Sequence, residues 1–181
     1  ALLGAGSAWA ELSLDPARSS LQVVSVKNAA VAEVHHFAGM SGSLSDAGTV
    51  KVEIKTDSLV THIDIRDQRI KEHLLEVAKF PLLTISAQIN KPAIDRLETG
   101  NQLVVEQPVK VELHGVAKDY TAKLRVSKLA GGALQAVTAE PLIVDLTAFG
   151  FSEGIKQLQA LANLNSIASQ VPVQVTLTFQ P

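Results

Sequence analysis

Five histidines are the residues of this chain whose type first suggests chemistry, as metal ligands or as acid–base groups near neutral pH. Their spacing argues against both uses. His35 and His36 are adjacent, and adjacent side chains of a strand point to opposite faces, so the two do not meet at one ion. His62, His73 and His114 are scattered, with no H-x-H or H-E-x-x-H pattern. The serine in Gly39-Met40-Ser41-Gly42 lacks the G-x-S-x-G elbow. Asp145 is the one acid inside an apolar run and reads as a residue on the wet face of a strand. There is no glycine-rich phosphate loop. The absence of cysteine removes thiolate nucleophiles, disulfides, Cys-ligated zinc and iron–sulfur clusters together. No catalytic residue and no metal ligand is assigned, and the reading is a protein that is not an enzyme. The Arg66-Asp67 pair is read as structural: Asp67 takes backbone N–H groups at a helix start, and Arg66 bridges to a neighbouring strand.

Most of the chain alternates with a period of two, the pattern of strands with one buried and one wet face. Val50, Val52 and Ile54 alternate with Lys51, Glu53 and Lys55. Similar runs centre on Ile85, Val111, Leu124 and Val175, with weaker ones at 21–27, 32–44 and 136–146. Turn signals fall at 46–48, 98–101, 117–119 and 131–132. Short links make consecutive strands antiparallel neighbours, and closure into a barrel removes the exposed edges of such a meander. A flat sandwich fits the pattern too. Two segments show helical spacing instead: 66–79, with Asp64 as its cap, Pro81 as its stop and an Asp67–Lys71 pair on its wet side, and 154–164, entered at Gly154.

Composition narrows the function classes. A hydrophobic fraction of 46% with 19% charged residues is globular, and a net charge of −2 gives no field to attract nucleic acid. Aromatic residues at 4% do not make a base-stacking platform. Residues 1–10 end in an A-x-A site at Ala8-Trp9-Ala10 and read as a signal-peptide remnant. Residues 11–181 then form a single domain, exported to the periplasm or beyond. No later run reaches the ~18 apolar residues of a membrane helix, so an integral membrane protein is not expected.

Several motifs, in order, resemble the YceI-like family of polyisoprenoid-binding proteins. Asp15-Pro16 with Ser19-Ser20 is similar to the family's opening, and Phe37 with Ser41-Gly42 to its second strand. Thr61, Arg66-Asp67, Ile70-Lys71, the stretch Leu74-Leu75-Glu76-Val77 and Lys79-Phe80-Pro81 resemble its signature, an Arg-Asp pair opening a helix that ends in an aromatic-Pro step. Leu113-His114-Gly115-Val116 with Lys118, and Phe149-Gly150-Phe151, resemble two later turns. Leu75 stands where the family often has Phe, and residues 154–168 are longer than its minimal form. The resemblance spans residues 15–179.

It implies an extended, eight-stranded, antiparallel, lipocalin-like barrel with two short inserted helices. It also implies a lumen that holds an isoprenoid, quinone or fatty-chain ligand, with no catalytic cofactor, in a protein that is commonly a homodimer. Alternation then assigns Val52, Ile54, Ile85, Val111, Leu113, Leu124, Val175 and Leu177 to the inner, ligand-binding face. Phe37, Phe149, Leu158 and Leu161 are placed near the lumen or its mouth.

Overall fold

The computed structural model describes residues 11–181; the A-x-A site lies outside them. Alternating strands dominate, and several are one course of chain broken by a short irregularity. β1 (Leu12–Leu14) and β2 (Ser20–Lys27) are parted by a 3-10 turn at Pro16–Arg18, where the Asp15 carboxylate accepts the Ala17 N–H. β3 (Val31–Phe37) and β4 (Met40–Leu44) are parted at Ala38-Gly39. β5 (Thr49–Lys55) and β6 (Leu59–Val60) flank a 3-10 turn at Thr56–Ser58. β7 (Leu82–Gln88), β8 (Gln102–Leu113) and β9 (Val116–Lys128) are unbroken. β10 (Leu134–Thr138) and β11 (Leu142–Asp145) form one further course, and β12 (Gln170–Gln180) the last.

Each course pairs antiparallel with the next. β12 then returns to the first, with Leu14 opposite Phe179 and Leu21 opposite Val175. Its other edge carries β10 and β11. The result is a closed, eight-stranded, up-and-down antiparallel barrel.

Because the courses alternate in direction, the connections sort into two ends. The 45–48 turn, the 129–133 turn and a helix α2 (Lys91–Asp95) lie at one end, the base. The 28–30 turn, the 114–115 turn, α1 (Asp64–His73) and α3 (Ser152–Leu161) lie at the other, the mouth. The base is packed solid. Leu14, Leu44, Val52, Ile54 and Phe179 meet there, and α2 inserts Ile94. A second cluster, built on Leu59, Leu75, Val144, Phe149, Phe151 and Ile155, ties α3 and the chain after α1 to the wall near the mouth.

Several local expectations are corrected. The helix expected over 66–79 spans Asp64–His73. It stops because Glu76 takes a φ of 47°, outside the right-handed helix, and the Leu74 and Leu75 N–H groups both turn back to the Ile70 carbonyl. Asp64 is in the first turn rather than at the cap, which Ile63 occupies without a side-chain bond. Asp67 turns its carboxylate to Thr61, not to Lys71. The second helix begins two residues earlier than expected, at Ser152. A third helix, α2, was not anticipated. Asn90 caps it by accepting the Ala93 N–H, and a proline sits in its first turn, the local signal that marks such a start. The turn expected at 117–119 is instead His114-Gly115, with positive φ at both residues, as a two-residue type I′ hairpin demands.

Gly154 fixes how closely the two mouth helices approach. A Cβ there would stand 2.6 Å from the His73 carbonyl oxygen and 3.1 Å from the Leu74 Cα, both backbone atoms. Gly154→Ala must therefore push α3 away from α1. We expect a loss of about 1–3 kcal/mol, the range of an overpacked contact, measured by chemical denaturation. Unchanged stability would show that the helices have slack.

Candidate functional site

Between the packed base and the mouth helices the barrel holds a cavity of about 450 Å³, within the range of small-molecule sites. It reaches the surface beside Ile63 and Ile65, which line it while remaining 45% and 52% exposed. The wall is built by strand alternation. β8 sends Val109, Val111 and Leu113 inward, and β9 sends Ala122 and Leu124. β12 contributes Val171, Val173, Val175 and Leu177. The helices close over it with Ile70 from α1 and Ile155 and Leu158 from α3.

Of the residues assigned to the ligand from sequence, Phe37, Ile85, Val111, Leu113, Leu124, Leu158, Val175 and Leu177 line this cavity together. Val52 and Ile54 do not. They point inward but are fully buried in the base, where Val52 lies opposite Gly42 and Ile85. Phe149 is likewise fully buried and does not line the cavity: it packs behind lining residues such as Phe151 and Val171, at 6.5 Å from the Tyr120 ring. Leu161 is 43% exposed at the end of α3 and is not among the lining residues. Alternation gives the face of a strand residue but not its depth, and depth separates Val52 and Ile54 from the rest; Phe149 and Leu161 lie outside the strands.

The same rule, applied to β2 and β3, finds polar residues that the sequence reading passed over. Leu21, Val23, Ser25 and Lys27 share one parity, and Phe37, His35 and Glu33 share the other strand's inward parity; all seven line the cavity. Polarity falls with depth. At the mouth Lys27 and Arg66 both bond Glu33, at 3.0 and 2.9 Å. One row deeper His35 reaches diagonally to Ser25, which lies opposite Glu33, with Nε2 and Oγ 2.7 Å apart. Below them the wall is Leu21 and Phe37. His35 is buried, and burial, reinforced by the Arg66 charge, holds its pKa below the ordinary 6.5 against the opposing pull of Glu33 and Asp67. Glu33 is held below the usual carboxylate value by the Arg66 and Lys27 hydrogen bonds.

The Arg66-Asp67 pair organises the junction, as read from sequence, though with different partners in part. Arg66 Nη1 donates to both Glu33 oxygens at 2.9 Å, so it does bridge α1 to β3. Its Nε donates to the Thr61 hydroxyl at 2.8 Å and its Nη2 to the Thr61 carbonyl at 2.6 Å. Asp67 accepts the Thr61 N–H at 2.9 Å and the Thr61 hydroxyl as well, so it binds the chain that leads into the helix rather than the helix's own first turn. Asp145 is not a plain wet-face residue: its carboxylate accepts the Thr147 N–H and hydroxyl and starts the 3-10 turn at Leu146–Phe149.

The histidines do not converge. His36 points outward with its ring 5.5 Å from that of His62. His114 lies between Phe80 and Phe151 and bonds Glu76 and the Phe149 carbonyl. A second hollow, of about 240 Å³, lies outside the barrel against α1 and α3 and is rimmed by Glu72, Glu76 and Glu153. Among the described residues no three His, Asp or Glu side chains are grouped to hold a metal ion, and no helix is long and apolar enough to cross a membrane.

A family model for the YceI-like domain matches residues 12–179. A polyisoprenoid-binding domain from Saccharophagus degradans, implicated in plant cell wall breakdown, is 31% identical with a TM-score of 0.91, over 93% of this chain and 97% of that one. BcnA from Burkholderia cenocepacia is 16% identical with a TM-score of 0.69, over 91% and 98%. A YceI protein from Campylobacter jejuni is 16% identical with a TM-score of 0.51, over 78% and 82%. These last two share the fold. No match was found among curated protein sequences.

Two outcomes follow from the site's charges. Asp67→Ala strands the buried Thr61 N–H and hydroxyl, and we expect a loss of about 1–3 kcal/mol, read from urea unfolding; a neutral effect would show that water replaces the carboxylate. His35 resists protonation when folded but not when unfolded. As pH falls below the ordinary 6.5, the unfolded chain therefore binds more protons and stability drops until the folded pKa is passed. Glu33 and Asp15, both lowered, act only in more acid solution. Unfolding free energy should decline between about pH 7 and 5.5 in the wild type and less so in His35→Leu. Equal slopes would assign the decline elsewhere.

Proposed function

The chain belongs to the YceI-like family, and on that footing we propose that it binds one long-chain, largely apolar lipid inside the barrel and carries or stores it without turnover. The observation that carries this reading is the lumen itself. It is closed at the base, open beside α1, and walled by Val, Leu and Ile from β8, β9, β12, α1 and α3. Such a space does not suit a hydrated solute, which would have to shed its water without replacement bonds. It does suit a hydrocarbon tail, which gains about 0.8 kcal/mol for each CH₂ taken out of water.

The Saccharophagus degradans domain, at 31% identity over nearly its full length, is polyisoprenoid-binding, which supports an isoprenoid tail here; a quinone or a fatty chain satisfies the same lumen. Holding rather than converting is the reading because the polar groups at the mouth are engaged with one another. Lys27, Arg66 and Glu33 form ion pairs, and Asp67 is bonded to Thr61. The A-x-A site in the sequence supports export, so the proposal includes a periplasmic or extracellular setting in which an insoluble lipid needs a carrier.

The test is solvent extraction of the purified protein and mass spectrometry of what comes off, with uptake of an added prenyl lipid as the second measurement. Val111→Glu places an unpartnered charge in the lumen and should abolish retention. Val104→Glu, on the outer face of the same strand where Val104 is 49% exposed, should leave retention intact. A wild-type barrel that yields no lipid and takes up none defeats the proposal, as does recovery of a chemically altered lipid.

A further inference from the structure

His35 is an anomaly in an otherwise satisfied interior. It is 6% exposed, it lines the cavity, and its Nδ1 is the one buried side-chain nitrogen or oxygen among the described residues that has no hydrogen-bond partner. A buried polar atom without a partner is costly, and one on a side chain that lines a cavity is a place for a ligand atom. We propose that His35 Nδ1 is the head-group contact of the lumen and donates a hydrogen bond to an oxygen acceptor on an uncharged lipid head. The inference rests on the lipid-binding reading above and adds the polar end of the ligand.

The direction of the bond follows from Ser25. Its hydroxyl has the His35 Nε2 as its partner, at 2.7 Å. If Ser25 accepted from Nε2–H, its own proton would be left without a partner in the same half-buried corner. If it donates to Nε2, the ring proton sits on Nδ1, and an acceptor oxygen bound there leaves no donor of the pair unused; under-used acceptors are tolerated better than unused donors. With an acceptor bound, the second arrangement is the one that satisfies both groups, and it puts the ring proton on Nδ1 of a side chain that lines the lumen. The ring is kept neutral by its burial and by Arg66, so it offers one proton and no charge.

The surroundings select a neutral head over an anionic one. Lys27 and Arg66 are the cations above His35, and both are bonded to Glu33. Arg66 is further committed to Thr61, and Arg69 at the rim donates to the Leu161 carbonyl at 3.3 Å. A phosphate brought to this depth would meet the Glu33 carboxylate as well as the guanidinium. A carbonyl oxygen needs only the one donor that is free. Depth agrees: His35 lies opposite Val23, one row below Glu33 and one row above Phe37, so a head held there leaves its tail in the aliphatic part of the cavity.

The experiment uses delipidated full-length protein and three probes of one tail length: a prenyl methyl ketone, the corresponding prenyl hydrocarbon and a prenyl phosphate. Affinities are read by calorimetry, and the His35 ring nitrogens by ¹⁵N NMR. We expect the ketone to bind roughly tenfold more tightly than the hydrocarbon, the yield of one hydrogen bond to a formerly unpaired donor. His35→Leu should erase that difference while the hydrocarbon still binds, and His35→Gln, which retains an N–H donor, should keep part of it. In the ketone complex the ring should carry its proton on Nδ1, and that resonance should shift on addition of the ketone alone. Equal affinity for ketone and hydrocarbon, a preference that survives His35→Leu, an Nε2–H tautomer in the ketone complex, or a phosphate that binds tightest would each overturn the inference and leave lipid binding standing. If the wild type takes up none of the probes, the lipid reading fails and this inference fails with it.

Discussion

Everything in this molecule depends on β12 being hydrogen-bonded along both edges. On one side it meets β1 and β2, on the other β10 and β11. That double pairing turns an open meander into a ring and leaves no strand edge to be covered. Closure also demands that long strands bend, and bending breaks ladders. The structure repairs each break with a side chain. Where β1 gives way to β2, the buried Thr178 donates its hydroxyl to the Arg18 carbonyl, while its N–H bonds the Ser19 hydroxyl. Between β5 and β6, the buried Thr56 donates to the Phe80 carbonyl at 2.7 Å. At the seam of β7 and β8, below the last paired residues, Gln107 donates to the Gln88 carbonyl. Three buried polar side chains thus stand in for ladder bonds that curvature removes.

An eight-stranded ring encloses a space that side chains can fill or leave open. Here the two ends differ because their covers differ. α2 is short and drives Ile94 into the base, where it completes a packed layer with Val52, Ile54 and Phe179. α1 and α3 are longer and pack on each other through the Gly154 approach. They therefore form a roof over the mouth rather than a plug inside it. The cavity is the gap between the solid layer and the roof. Its position is a consequence of helix placement, not of any change in strand composition along the barrel.

That distinction explains what could be read from the sequence. The period of two gave the strands, their inner faces and, through the short links, the antiparallel order. The ring itself follows from the edge problem together with the motif resemblance. Depth along the barrel axis has no local signature: Val52 in the base and Val111 in the lumen obey the same alternation. Leu161 fails for a related reason, since helical spacing names a face but α3 ends there and leaves its last residue in solvent. The His114-Gly115 turn was hidden because a histidine rarely announces a positive φ, although it tolerates one better than most residues. Helix α2 was visible in Asn90 and the proline that follows two residues on, and was missed because it is only five residues long. His35 was legible by parity with Phe37, yet parity applied only to apolar residues passes over a buried polar one.

The mouth shows how ion pairs and ligand contacts divide their roles. Arg66 looks like a recognition residue, a guanidinium at the opening of an apolar cavity. Its nitrogens are already spent on Glu33 and Thr61, and those bonds hold α1 to β3 and to the chain that enters it. Removing Arg66 from that work to meet a ligand would leave Glu33 facing Lys27 alone and the Thr61 carbonyl unpaired, a cost comparable to what the new contact would return. The charged groups are therefore the frame of the entrance, balanced among themselves before a ligand arrives. Affinity is left to the aliphatic wall, which has Phe37 and Phe151 as its aromatic residues and so little that discriminates one tail from another except length. Orientation is left to whatever uncharged polar group remains unpaired below the frame. On the proposed lipid-binding reading, such a lumen ranks ligands first by how much tail fits between base and roof, and only then by the head held below the charged frame.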